Sequence, residues 1–174
     1  MHETGTKQLE SKFPELLEAF PSDILDAEDF RGDLTVVVRP ERIQDIVRFL
    51  KTNKSVPFEV LMDLFGMDYL KTKTEMPERF CVVYNFHSVS KARRLRVKAY
   101  VPEAKPEIDT LCSVYKAANW FERETWDMYG IVFREHPHLI RILTHHEFQG
   151  HPLRKDYPAD RYQRLKTSLP SSEL

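Results

Sequence analysis

Residues 80–101, FCVVYNFHSVSKARRLRVKAYV, decide the fold class of this chain. Every second residue is apolar within positions 80–86, and the same is true within positions 95–101. A period of two is the repeat of a β-strand, and the polar run between the two stretches can form a turn. In the second stretch Arg96 and Lys98 occupy the alternate positions, so one face of that strand contacts water. The segment therefore predicts an antiparallel hairpin.

Apolar periodicity, prolines and glycines predict further elements on both sides of this hairpin. Before it we expect a short amphipathic helix at residues 6–20, interrupted near Pro14, and a hairpin of Ile24–Phe30 and Leu34–Val38 around Gly32. A helix opened by Pro40 follows, with an apolar stripe at Ile43, Ile46, Val47 and Leu50. A short helix at residues 58–65 is expected next, ended by Gly66. After it we expect a helix opened by Pro106 with a stripe at Ile108, Leu111, Cys112 and Tyr115, and a helix from Trp120 to Tyr129 that begins with a capping box of Asn119 and Glu122 and ends at Gly130.

Periodicity disappears after Phe133, where prolines punctuate a polar stretch that still carries apolar side chains. A structureless run of this length is uncommon inside a compact domain, so we expect it to dock on a partner, with a loose tail from Thr167. The predicted organisation is a compact domain at residues 1–133 and an extended C-terminal arm and tail at residues 134–174. The fold class is α+β, with helices packed on a mainly antiparallel or mixed sheet.

Composition restricts the possible functions. The 174 residues carry 26 basic and 27 acidic side chains, a formal net charge of −1, which gives no overall field to hold nucleic acid. The two cysteines, Cys81 and Cys112, are too few for an iron–sulfur cluster. No apolar run approaches the roughly 20 residues that span a bilayer, and the polar first ten residues resemble neither a secretory signal nor a transit peptide.

Few residues suggest chemistry within the chain. The five glycines are isolated, so no dinucleotide or phosphate loop is predicted. A metal site could use the histidines of one window, namely His136, His138, His145, His146 and His151, although an extended segment would point neighbours to opposite sides. On a helix Glu124 and Asp127 share a face and could act as a catalytic pair. The alternative is an ion-pair network of Glu122, Arg123, Glu124 and Asp127 with Arg134 or Arg141.

The two longest motifs lie in the last third of the chain. Residues 122–143, ERETWDMYGIVFREHPHLIRIL, resemble the signature of the 30-kilodalton subunit family of respiratory complex I, and residues 150–158, GHPLRKDYP, resemble the second motif of that family. The resemblance implies family signature residues with structural roles at Glu122, Arg123, Glu124, Asp127, Gly130, His136, Pro137 and Arg141. It implies partner contacts at Gly150, His151, Pro152, Leu153, Arg154, Lys155, Asp156, Tyr157 and Pro158. The chain departs from the family pattern at Ile140, at His145-His146-Glu147 and at Tyr157.

The same resemblance implies a function. We expect a structural subunit of the hydrophilic peripheral arm of NADH:quinone oxidoreductase, with no catalytic, cofactor or metal residues of its own. FMN, iron–sulfur clusters and quinone are expected in partner subunits, and the chief neighbour would be the D-type subunit, which helps form the quinone cavity. Membrane association would be indirect, on the cytoplasmic side of a bacterial inner or plasma membrane. One alternative is a related subunit of a membrane-bound hydrogenase, a formate hydrogenlyase or a photosynthetic complex. More remote alternatives are a metal-dependent hydrolase using Glu124, Asp127 and the clustered histidines, and an RNA-binding adaptor using the basic arm.

Overall fold

A computed structural model describes residues 3–166 of the chain. A five-stranded sheet is its main element, with the order β1-β2-β5-β4-β3. The strands and helices are α1 (Glu3–Lys12), α2 (Pro14–Ala19), β1 (Ile24–Phe30), β2 (Asp33–Val38), a 3-10 turn at Pro40–Arg42, α3 (Ile43–Thr52), β3 (Val60–Asp68), β4 (Phe80–Ser88), β5 (Arg93–Val101), β6 (Glu107–Asp109), α4 (Ala118–Tyr129) and β7 (Val132–Arg134). None of the helices in this described range is long and apolar enough to cross a membrane.

The predicted hairpin is confirmed and lies in the middle of the sheet. Strands β4 and β5 are antiparallel, with Tyr84 opposite Val97 and Phe86 opposite Leu95. The first hairpin, β1 with β2, is confirmed as well, and β2 then pairs in parallel with β5. The sheet is therefore mixed, and the predicted α+β class, with helices packed on a mixed sheet, is confirmed.

One face of the sheet carries the main core. A row of buried residues crosses all five strands in register, namely Ala27, Val36, Val97, Tyr84 and Leu64. The stripe predicted for α3, from Ile43 to Leu50, is fully or almost fully buried in the same core. Helix α4 lies under β3 on this face, where a Cβ at Gly66 would come within 2.8 Å of the ring of Tyr129. The glycine thus permits close approach of the helix to the strand.

The helix predicted at residues 58–65 is wrong, because this stretch forms strand β3. A register shift between Leu61 and Asp63 inserts an extra residue opposite β4. The two buried leucines, Leu61 and Leu64, are consequently three positions apart, which is the spacing of a helix. The β-bulge therefore interrupts the alternation of buried and exposed residues that would have predicted a strand.

The helix predicted after Pro106 is also wrong. Residues 107–109 form β6, which pairs in parallel with β7, and turns follow, with the N–H groups of Val114 and Tyr115 both donating to the carbonyl of Leu111 at 2.8 Å. Ile108 lies in the strand and Leu111 in the turn, and both are buried. They are three positions apart, which is also the spacing of an apolar stripe on a helix, so the pattern was mistaken for a helix.

The C-terminal arm contains no helix or strand between residues 135 and 166, the part of it that the structure describes. Over this range it contacts the rest of the chain at several points, including an N–H of Leu153 that donates to the carbonyl of Met128 at 3.0 Å. The boundary between a domain at residues 1–133 and an arm at residues 134–174 stays a prediction. The tail expected from Thr167 lies outside the described residues.

Candidate functional site

Helix α4 carries the first part of the family signature, and Gly130 ends it. Gly130 has a φ of 76°, a conformation that glycine adopts without steric cost, and its N–H donates to the carbonyl of Trp126 at 2.8 Å. A Cβ at this position would lie 2.7 Å from the ring of His151. The predicted C-terminal cap is confirmed, and the glycine also brings the second motif against the end of the helix.

The capping box predicted at the start of α4 is wrong. The N-cap is Ala117, and no side chain caps the helix. Glu122 instead lies fully buried, and its carboxylate accepts hydrogen bonds from the Thr110 hydroxyl and, at 2.6 Å, from the N–H of Leu111. Glu122 therefore holds the loop after β6 against the helix.

Two further polar side chains contact the Glu122 carboxylate. The Cys112 thiol donates to Oε2 at 3.5 Å, and Nε2 of His136 lies 3.9 Å from the same oxygen. The imidazole is hydrogen-bonded on both sides, since Nε2 lies 3.2 Å from the carbonyl of Asn119 and Nδ1 accepts the N–H of His138 at 3.0 Å. These partners assign a neutral ring with its proton on Nε2.

Burial controls the protonation of this cluster. It raises the pKa of Glu122 to about 7, raises the pKa of the Cys112 thiol to about 11 and lowers the pKa of His136. One potential ligand atom from each of the three residues lies within 4.8 Å of the others. Because each of these atoms already has a hydrogen-bond partner, the arrangement is that of a closed polar cluster, with a thiol that stays protonated at neutral pH.

Asp127 is the second fully buried carboxylate of α4, and it holds the C-terminal arm. Its Oδ2 accepts the N–H groups of Ile142, Leu143 and Thr144 at 3.0, 2.9 and 2.9 Å, and its Oδ1 accepts the Thr144 hydroxyl at 2.5 Å. Arg141 donates from Nη1 to Oδ1 at 2.6 Å. Burial acts to raise the pKa of Asp127, but the Thr144 hydroxyl and these backbone N–H groups outweigh it and lower the pKa to about 2.

Arg141 connects Asp127 to the second motif. Its Nη2 donates to the carbonyl of Gly150 at 3.1 Å, and its guanidinium lies 5.5 Å from the ring centroid of Trp126 and 5.6 Å from that of Phe148. A planar guanidinium suits both the carboxylate and the aromatic faces.

The predicted ion-pair network is only partly present. Asp127 pairs with Arg141, whereas Arg134 pairs with Asp109 of β6 at 2.7 Å. Arg123 donates to the carbonyls of Ile140 and Arg141 at 3.2 and 3.3 Å instead of pairing with Asp127. Glu124 is exposed to solvent, whereas Asp127 is fully buried and bonded to the arm, so the structure does not bring the two carboxylates together as a catalytic pair.

The second motif folds back on the chain through its backbone. Gly150 has a φ of 92°, and Nδ1 of His151 lies 3.0 Å from the carbonyl of Asp127. Burial lowers the pKa of His151 and favours the neutral ring. The N–H of Lys155 donates to Asp68 at the end of β3, at 2.8 Å.

The second motif is bound by an ion cluster around the buried side chains of Arg79 and Asp68, which the sequence analysis did not predict. The guanidinium of Arg79 donates to both oxygens of Asp68, at 3.1 and 2.9 Å, and to Asp156 at 2.9 Å. The Asp68 side chain is completely buried; burial acts to raise its pKa, but Arg79 and the N–H groups of Lys155 and Leu70 lower it. The signal in the sequence was a charged residue, Asp68, at the end of one apolar strand and another, Arg79, directly before the next, where unpaired charge is costly.

The remaining signature residues differ in exposure. Pro137, Leu153, Lys155 and Pro158 are exposed, whereas Pro152, Arg154 and Tyr157 are half-buried. Arg154 lies over the ring of Phe80 at 5.0 Å, and the ring of Tyr157 stacks on Phe148 with centroids 6.0 Å apart.

Comparisons with known proteins agree with the motifs. A family model described as the 30 Kd subunit of respiratory-chain NADH dehydrogenase matches residues 36–163. A relative from Geobacter metallireducens, named as the C-type subunit of NADH-quinone oxidoreductase, is 48% identical over 143 residues, which are 82% of this chain and 85% of the relative. NADH-ubiquinone oxidoreductase subunit 9 of Reclinomonas americana is 40% identical over 151 residues, 87% of this chain and 72% of the relative.

Solved structures show the same fold. A trypsin-resistant fragment (1-134) of Nqo5 superposes with a TM-score of 0.66 at 35% identity, covering 76% of this chain and 99% of that one. A chain of the archaeal membrane-bound sulfane sulfur reductase superposes with a TM-score of 0.71 at 22% identity, covering 94% and 99%, which is a likeness of fold alone. With the family model matching most of its length, this chain belongs to the family of the 30 kDa subunit of respiratory-chain NADH dehydrogenase.

Proposed function

We propose that this chain is a structural, redox-inactive subunit in the hydrophilic peripheral arm of a proton-translocating NADH:quinone oxidoreductase. It would dock on the D-type subunit beside the quinone site and support electron transfer from NADH to quinone, while FMN, the iron–sulfur clusters and quinone are held by partner subunits. The relatives at 40–48% identity carry names of NADH-quinone or NADH-ubiquinone oxidoreductase subunits, which favours this complex over a related hydrogenase or formate hydrogenlyase.

The observation that carries the proposal is how the signature residues are used. Glu122 holds the loop after β6, Asp127 and Arg141 hold residues 142–144, and Arg79 holds Asp156. The ion pairs of Asp127 with Arg141 and of Arg79 with Asp156 thus fix the path of the arm across the domain. A chain that uses its buried polar residues to fix the shape of a surface segment is suited to positioning a neighbouring subunit.

The experiment is to capture the tagged chain from detergent-solubilised membranes and identify the proteins that accompany it. We expect a homologue of the D-type subunit together with flavin- and cluster-bearing subunits. The chain purified alone should show no visible absorption from flavin or iron–sulfur clusters. Recovery of the chain without these subunits, or with a stoichiometric chromophore, would contradict the proposal.

A charge reversal tests the role of the arm. Arg154→Glu with Lys155→Glu should reduce the amount of this chain in the complex while the sheet and helices remain folded, because Lys155 is exposed and Arg154 half-buried. The matched control is Lys91→Glu with Arg94→Glu, an equal charge change on exposed residues at the other end of the sheet. If the first pair assembles as well as the control pair, the arm does not dock through these residues.

A further inference from the structure

The C-terminal arm folds back on itself around a cavity. The N–H of Gln149 donates to the side-chain oxygen of Gln163 at 2.9 Å, and the side-chain amide of Gln163 donates to the carbonyl of Gln149 at 2.8 Å. The N–H of Lys166 donates to the Glu147 carboxylate at 2.9 Å. These bonds tie residues 145–149 to residues 162–166, and the two segments line a cavity of about 370 Å³. We call it the arm cavity.

His145 lines the arm cavity and is not satisfied by the chain. Both of its ring nitrogens are shielded from solvent, and neither has a hydrogen-bond partner in the described part of the chain. The ring meets Phe148 edge-on, with the centroids 5.7 Å apart, a contact that positions the imidazole without bonding its nitrogens. Because buried polar groups are almost always hydrogen-bonded, two idle nitrogens indicate that a group from outside the chain bonds them.

The charges around the arm cavity favour an anion. Arg164 and Lys166 both line it, and over residues 3–166 neither side chain forms an ion pair with a carboxylate. The guanidinium of Arg164 lies 5.4 Å from the ring centroid of Tyr162, which is 80% exposed. The carboxylate in the wall, Glu147, already accepts the N–H of Lys166 and lies 3.9 Å from Nε2 of His146. The cationic side chains are therefore the ones available to a ligand.

We propose that the arm cavity binds a phosphate monoester. A neutral imidazole offers one N–H donor and one acceptor nitrogen, and a monoprotonated phosphate offers one O–H donor and several acceptor oxygens. Such a group can bond both nitrogens of His145 while its charge faces Arg164 and Lys166. A sulfate or a carboxylate has only acceptors at neutral pH and would leave one nitrogen unpaired. The volume is that of a small-molecule site and admits a phosphate with a short organic group.

The test is the binding of glycerol 3-phosphate to the purified full chain, measured by calorimetry at pH 6.5. Phosphate monoesters have a second pKa of about 6, so a fraction of the probe carries one proton at this pH. His145→Phe removes both nitrogens and keeps an aromatic ring beside Phe148, and Arg164→Gln removes one charge. Each should weaken binding at least about tenfold, because each deletes a hydrogen bond to a charged ligand.

Matched controls change the same residue types outside the arm cavity. His146→Phe alters the neighbouring exposed histidine, and Arg94→Gln alters an exposed arginine of β5. Both variants should bind glycerol 3-phosphate as the wild type does. Equal affinity of the wild type and His145→Phe would overturn the site and would mean that water alone satisfies the ring. Equal affinity for sulfate and glycerol 3-phosphate would overturn it as well, because the surface would then bind any anion.

A spectroscopic measurement on the wild-type chain decides the case if His145→Phe fails to fold. The ring ¹⁵N signals of His145 should move when glycerol 3-phosphate is added, whereas those of His146 should stay in place. Signals of His145 that do not move at a saturating concentration of the probe would contradict the proposal.

A phosphate monoester can belong to a free metabolite or to the headgroup of a lipid. Flotation of the chain with phosphatidylcholine vesicles, with and without phosphatidic acid, separates the two sources. Binding to glycerol 3-phosphate without flotation supports a free metabolite, and flotation that requires both phosphatidic acid and His145 supports a lipid headgroup. Binding to neither probe would overturn the proposal.

Discussion

Helix α4 buries two carboxylates five residues apart, and their pKa values move in opposite directions. Glu122 and Asp127 are both fully buried. The pKa of Glu122 is raised to about 7, whereas the pKa of Asp127 is lowered to about 2. Burial acts on both to raise the pKa, but only at Asp127 do the surrounding hydrogen-bond donors outweigh it.

The donors differ in number and in charge. Glu122 accepts one backbone N–H, one hydroxyl and a thiol, which are all neutral. Asp127 accepts three backbone N–H groups, a hydroxyl and the cationic Arg141. Burial with a few neutral donors leaves an acid that protonates near neutrality, whereas burial with more donors and a cation leaves a carboxylate that is charged at neutral pH. The first joins two parts of the compact domain, and the second joins that domain to the arm.

The largest effect on stability is expected from removing the Asp127 carboxylate, which is charged at neutral pH. Asp127→Ala leaves three N–H groups and the guanidinium of Arg141 without their acceptor, so the free energy of unfolding should fall by about 4 kcal/mol. Chemical denaturation of the purified chain at pH 7 measures it, and proteolysis should begin in the arm. Glu124→Ala, an exposed carboxylate on the same helix, is the control and should change stability by a few tenths of a kcal/mol. A loss below about 1 kcal/mol for Asp127→Ala would mean that solvent replaces its contacts.

Sequence patterns predicted the elements that are regular and local. The apolar residues of β4 and β5 keep the period of a strand throughout, and those of α3 keep the period of a helix. Gly130 marks the end of α4 because glycine adopts the left-handed conformation of a helix cap without steric cost. Strand β3 was assigned wrongly because its bulge replaced the period of two by a spacing of three. Such a shift is invisible without the partner strand.

The candidate site was predicted less completely than the fold, for a related reason. The pair Asp127–Arg141 was one of several pairings that sequence left open, since the two residues are 14 positions apart in a segment without periodicity. The bond from Lys155 to Asp68 joins residues 87 positions apart. Pairing over such distances depends on the tertiary fold, and a charged residue in the sequence does not reveal which partner it will meet.

The second prediction uses pH to separate the two carboxylates. The pKa of Glu122 in the folded chain lies above the value of about 4.3 for an unfolded glutamate, so its contribution to stability falls as pH rises from about 4 to about 7, by about 3 kcal/mol. Asp127 behaves in the opposite way, and its contribution is lost as pH falls from about 4 toward 2.

Glu122→Gln tests this, because an amide does not titrate. Relative to the wild type, the variant should gain about 3 kcal/mol in the free energy of unfolding between pH 4.5 and pH 7.5. His136 and Cys112, which face the same carboxylate, are present in both proteins, so most of their own titration cancels from the difference. Parallel stability curves for the two proteins over this pH range would show that Glu122 ionises freely in the folded chain.

The smallest effect compares one hydroxyl at each carboxylate. Thr144 donates to Asp127, which is charged at pH 5.5, and Thr110 donates to Glu122, which is mainly protonated at that pH. Hydrogen bonds to a charged acceptor are about twice as strong as neutral ones, so Thr144→Val should cost about 2 kcal/mol and Thr110→Val about 1 kcal/mol. Raising the pH to 8 ionises Glu122 and should bring the cost of Thr110→Val up toward that of Thr144→Val, which itself should not change. Equal costs at both pH values would mean that the number of donors, and not the charge of the acceptor, separates the two ends of α4.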